Sequence, residues 1–162
     1  MPLLERNLLV IYLNDHLAGA TAGLDLARRV QRANSRGPLG EFLTELVAEL
    51  EEDKAELERI MKRLGIGRDR VKIAAAWSAE KAGRLKLNGR VTGYSPLSRL
   101  EELEGLSLAV EGKLALWQTL RETYGNNSRL RGTDFEELIR RARSQRRRLE
   151  LRRKRAAADA LG

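Results

Sequence analysis

The sequence predicts an all-α protein, a four-helix bundle, from three observations. All three prolines, Pro2, Pro38 and Pro96, stand just upstream of a long run of helical pattern. Proline is cheap at a first helical position, because its missing N–H would be unpaired there and its φ is already set. A fourth start is marked by Thr133-Asp-Phe-Glu136, a capping box in which hydroxyl and carboxylate each satisfy an orphan amide. Composition agrees: 33% charged and 4% aromatic residues beside 42% hydrophobic ones favour helices with charged outer faces over a β-sandwich.

Helix one is predicted from Pro2 to Asn34, with Leu9, Leu13, Leu17, Ala20, Leu24, Ala27 and Gln31 in the three-and-four spacing of a buried stripe. Asn34-Ser-Arg-Gly37 supplies a stop and turn. Helix two runs from Pro38 to Leu64, with Gly65 as its left-handed cap. Its stripe reads Leu43, Leu46, Leu50, Asp53, Leu57, Ile60 and Leu64. The chain then changes character up to Tyr94: Gly65-Ile-Gly67 loosens it, a short helix is expected over Val71–Leu87, and Asn88-Gly89 ends that helix. So long a connection exceeds the usual link of about 2–8 residues between antiparallel neighbours, and implies a crossing of the bundle's length. Helix three opens at Ser95-Pro96, carries Leu100, Leu103, Ser107, Val110, Leu114, Trp117 and Tyr124, and stops at Gly125-Asn-Asn127. Helix four runs from Thr133 toward the C-terminus with Phe135, Leu138, Ile139, Ala142 and Leu149 inward.

At 162 residues the expectation is one domain with a real core. The absence of cysteine excludes disulfides, thiolate chemistry and cysteine-held metals, and is compatible with a reducing compartment. No run of about 18 uncharged apolar residues predicts a membrane span. The N-terminal residues lack a signal-peptide pattern, so the expected location is cytoplasmic. Net charge is +8, unevenly spread: from Arg129 to Gly162 there are 12 Lys+Arg against 5 Asp+Glu, while the preceding 128 residues hold 19 against 18.

Two helical hairpins joined by one long crossover resemble the ferritin-like bundle, a likeness of layout that covers about Glu5 to Arg148. The resemblance implies a di-metal site of one Glu on each of two helices and a Glu-x-x-His on each of the other two. This chain has one histidine, His16; Glu49-Leu-Glu-Glu52-Asp53 on helix two has no His, and Ile139 and Arg140 follow Glu136 and Glu137 at that spacing. Both Glu-x-x-His elements are missing, so the family's metal site does not carry over whole. An alternative is a divergent carboxylate-rich site for iron, manganese or zinc, using Asp15, His16, Asp53, Glu104 and Glu111. Asp53 is its strongest member: a carboxylate on a buried stripe is costly unless it binds metal or pairs with Arg or His16. The competing reading is that Asp53 is paired or turned outward and the glutamates are solvated faces.

Gly19 and Gly23 lie within His-Leu-Ala-Gly-Ala-Thr-Ala-Gly, residues 16–23. Each mid-helix glycine costs about 1 kcal/mol relative to alanine. Close approach of another helix, or packing of Trp77 or Trp117, is the expected compensation, and a ligand over the small residues is the functional alternative.

The third feature is the basic end of helix four: Arg140, Arg141, Arg143, Arg146, Arg147, Arg148, Arg152, Arg153, Lys154 and Arg155. From Arg146 onward the charges encircle the helix, so residues 146–162 are expected to project past the bundle. Arginine clusters suit phosphate through forked hydrogen bonds and counterion release. The bland reading is i,i+4 pairing and the helix macrodipole. No aromatic residue interleaves the run, which argues against base stacking. No catalytic motif is complete, and Gly65-Ile-Gly67-Arg fails as a dinucleotide loop because it follows a helix rather than a strand. The expectation is therefore a non-catalytic binding or scaffold protein whose partner is nucleic acid or an acidic protein. A homo-oligomer interface is the next candidate surface, and the metal-binding bundle is the alternative.

Overall fold

The structure is a computed structural model that describes residues 3–69 and 94–162. The expected helix over Val71–Leu87, with Trp77 and the Asn88-Gly89 stop, lies outside the described residues. Four long helices form: α1 Leu3–Ala33, α2 Gly37–Arg63, α3 Pro96–Tyr124 and α4 Phe135–Leu161, with a short 3-10 turn at Ser128–Leu130. Among the described residues there is no strand.

Local chemistry sets most of the ends. Ser95 caps α3, its Oγ accepting from the Ser98 amide at 3.0 Å, with Pro96 as the first helical residue. Gly65, at φ +70°, closes α2 in a Schellman turn, its amide bonded to the Lys62 carbonyl and the Ile66 amide to that of Met61. Ile66 then folds into the core beside Met61. The α1–α2 turn is tight enough that a Cβ on Gly40 would stand 2.6 Å from the Ser35 backbone. One cap differs from expectation by a residue. Asp134, not Thr133, caps α4, accepting from the Glu137 amide at 2.9 Å. The Thr133 hydroxyl instead accepts from Arg63 at 2.7 Å.

The stripes meet as two apolar clusters. One gathers Leu9, Leu13 and Leu17 with Leu57, Ile60, Leu114, Trp117, Leu138 and Ile139. The other gathers Leu24, Ala27 and Val30 with Phe42, Leu43, Leu46, Leu103, Val110 and Leu149. The first therefore holds the start of α1, the end of α2, the end of α3 and the start of α4. The second holds their opposite ends. Burying each such leucine contributes about 1.5–3 kcal/mol. α1 packs against α2 and α3, and α4 against α3 and α2. All neighbours are antiparallel, and α2 lies diagonal to α3, parallel to it. α2 ends and α3 begins at opposite ends of the bundle. Asn14, almost fully buried, holds the chain as it leaves α2: its Oδ1 accepts from the Asp69 amide and its Nδ2 donates to the Gly67 carbonyl. At the far end Tyr94 donates its hydroxyl proton to Glu102 and accepts from Asn34.

The stripes shift in detail. Val30 and Gly23 are buried where Gln31 and Ala20 were expected, and Leu106, Leu116 and Leu120 join α3's inner side in place of Ser107. α4 does not project. Leu149 and Ala156 are buried in the second cluster, Ala157 and Ala160 pack against it, and Asp159 approaches Arg99 at 3.7 Å. Arg141, Arg146, Arg148 and Arg153 meet carboxylates of α2 and α3, so a helix charged on nearly every side still docks along its whole length.

Candidate functional site

Between the two clusters the bundle is polar. Asp53 comes from α2, Lys113 from α3 and Gln145 from α4. Each sits at a three- or four-residue step from inward leucines, valines or alanines, so the helix phase that buries the neighbours carries it inward as well. Lys113 Nζ donates to Asp53 Oδ2 at 2.5 Å and to Gln145 Oε1. Arg141 Nε and Nη2 both donate to Asp53 Oδ1, at 2.8 and 2.5 Å. Gln145 Nε2 donates to Asp53 Oδ2 at 3.2 Å and to Glu49 at 2.9 Å. Arg148 closes the edge, donating to both Glu49 oxygens at 2.6 Å. Burial pulls the Lys113 ammonium below its usual pKa range, and the Asp53 carboxylate opposes that shift.

Asp53 is thus 2% exposed and receives four N–H donors. A carboxylate offers about four lone-pair sites, so none remains for a metal ion. The Lys113 ammonium neutralises the charge that a cation would have met.

The five metal candidates do not converge. Glu111 pairs with Arg146 at 3.0 Å and Glu104 approaches Arg153 at 3.7 Å, both on the exposed α3–α4 surface. His16 is half-buried, its ring edge-on to Tyr12 at 4.5 Å, and Asp15 beside it faces outward. Burial lowers the His16 pKa, with Asp15 working against the shift. Among the described residues no group of three His, Asp or Glu comes together to hold a metal. The bundle geometry explains this: the glutamates border α3's stripe on its outer side, while Asp53 lies on α2's inner one.

The glycines divide. A Cβ on Gly23 would stand 3.2 Å from the Ala109 Cβ, so α1 and α3 approach closely there. Gly19 has nothing within 4 Å of that position. Trp117 fills the core at 1% exposure.

The basic residues also divide. Arg148 and Arg152 stack over the Phe42 ring, at 5.6 and 4.6 Å from its centre. Arg146 and Arg153 meet α3 carboxylates, Arg140 pairs with Glu137 at 2.6 Å, and Lys154 approaches Glu150 at 3.7 Å. Arg143, Arg147 and Arg155 are exposed and make no ion pair among the described residues. The sequence expectation places these basic residues in one patch. It also names an arginine as a partner for Asp53, the role Arg141 fills, but neither Lys113 nor Gln145, although Gln145 falls three residues after Ala142 and four before Leu149 on an inward stripe.

No helix among the described residues is long and apolar enough to cross a membrane. Comparison with protein-family models, with curated proteins and with solved structures gives no match to this chain.

Proposed function

We propose that this chain is a cytoplasmic, ferritin-like helical bundle that works by binding rather than catalysis, and that its ligand is the phosphate backbone of duplex nucleic acid. The observation that carries the reading is the set Arg143, Arg147 and Arg155 on α4's solvent side, none of them ion-paired among the described residues, flanked by the exposed Arg140 and Lys154. Arg155 lies twelve helical steps beyond Arg143, about 18 Å at 1.5 Å per residue. Duplex DNA carries one charge per about 1.7 Å of its axis, so such a stripe meets several phosphates. Among the described residues nothing aromatic lies on that side, which favours a duplex backbone over stacked single-stranded bases. The other α4 cations already face carboxylates or an aromatic ring, so the contact is narrower than the charge of the sequence implies.

The test is anisotropy of a labelled duplex titrated with protein between 50 and 300 mM KCl. The expected log–log salt slope is about −3, for three or four neutralised phosphates. Arg143→Glu/Arg147→Glu should weaken binding more than tenfold at the lowest salt and flatten the slope by about 2. Equal affinity and slope in the variant would reject the reading.

A further inference from the structure

A second site lies at the end of the bundle where α1 begins and α3 ends. A cavity of about 300 Å³ opens there. Its floor is Leu9, Leu64 and Ile66. These three are the most exposed buried members of the first apolar cluster, at 9%, 8% and 7%. The first cluster is therefore least sealed here. Tyr124 and Asn127 form a wall. Arg6 and Arg129 complete the lining, both exposed and neither guanidinium with a hydrogen bond or ion pair among the described residues. The Asn127 side chain accepts from the Arg129 amide at 2.9 Å, which fixes the turn from which that guanidinium springs. Among the described residues no carboxylate lines the cavity.

An apolar floor under two unpaired guanidiniums selects a particular ligand class. Apolar area recognises a short hydrocarbon body, and a planar guanidinium recognises a carboxylate through paired N–H donors. The volume admits roughly ten water-sized groups, which sets the ligand's length. We propose that this cavity binds a small amphiphilic carboxylate of about ten non-hydrogen atoms, its chain on Leu9, Leu64 and Ile66 and its carboxylate between Arg6 and Arg129. The site is independent of the α4 stripe, none of whose cations lines it.

Octanoate is the probe, followed by titration calorimetry and by amide NMR shifts of the full chain. Octanoate should saturate with a dissociation constant on the order of 0.1–1 mM, the range a ligand of this size reaches. The largest shifts should fall on Leu64, Ile66, Asn127 and Arg129. Octanol tests the head group and should bind at least tenfold more weakly; acetate tests the chain and should not saturate. Arg6→Ala/Arg129→Ala should weaken octanoate about tenfold or more with an unchanged helical spectrum. Arg147→Ala, on the α4 stripe, should leave octanoate binding as it is. Octanol binding as tightly as octanoate, undiminished binding by the double variant, or shifts confined to other residues would each overturn the proposal. So would a lack of saturation at millimolar octanoate. None of these outcomes bears on duplex binding, which the α4 charge-reversal variant reads separately.

Discussion

Asp53 and Lys113 are a buried ion pair in the middle of an otherwise apolar bundle, and such pairs contribute little net stability because desolvation offsets their attraction. Removing Lys113 leaves Asp53 with Arg141 as its one counter-charge and strips the Gln145 Oε1 atom of its donor. Lys113→Met should lower unfolding free energy by about 2 kcal/mol in urea titrations. The triple change Asp53→Leu/Lys113→Met/Gln145→Leu should recover most of that loss, since Arg141 keeps Glu52 and Arg148 keeps Glu49. A triple variant no more stable than Lys113→Met would show that the layer supports the fold in some other way. His16 gives a pH signature. Burial depresses its folded pKa below the ordinary 6.5, so the unfolded chain binds more protons as pH falls through that value. Stability is therefore full above about 6.5 and is lost as pH falls toward the folded pKa. His16→Gln should flatten the unfolding midpoint between pH 7 and 5.

At the scale of elements, the two glycines of α1 make opposite predictions. Gly19 has open space at its Cβ position, so Gly19→Ala should stabilise the protein by about 0.5–1 kcal/mol through helix propensity alone. Gly23 lies against Ala109, and Gly23→Leu should destabilise by about 1–3 kcal/mol by wedging α1 from α3. Thermal melts of the two variants should move in opposite directions. The start of α4 separates two hydroxyl and carboxylate roles that look alike in sequence. Asp134→Ala removes the cap and should cost about 1 kcal/mol. Thr133→Ala removes only an exposed bond to Arg63 and should cost less, measured in the same melts.

For the whole molecule, the decisive feature is that α4 docks through both its apolar and its charged sides. Ending the chain before Arg146 would take away Leu149 and Ala156, which close the second cluster, together with the Arg148 contacts to Glu45 and Glu49. The shortened chain should lose cooperative unfolding at its far end and bind hydrophobic dye, whereas a projecting tail would come off without effect. Charge reversal at exposed arginines therefore separates binding from folding, and truncation does not. High salt should weaken the duplex contact far more than the fold, because exposed ion pairs contribute only about 0–1 kcal/mol each.

The four long helices, their limits and most inward residues were legible from proline, capping and three-four spacing, because those signals act within a few residues along one chain. Gly65 is the clearest instance: its place after Leu64 implied the left-handed cap it adopts. Asp53 could be identified as needing a partner, but which one could not, since Lys113 and Arg141 lie 60 and 88 residues away and meet it only once α3 and α4 are packed. The same holds for the arginines of α4. Their number is a property of the sequence; which of them face carboxylates and which face water depends on the helices alongside. The end cavity, built from residues on α1, the α2 cap, α3 and the turn before α4, likewise exists only through tertiary packing.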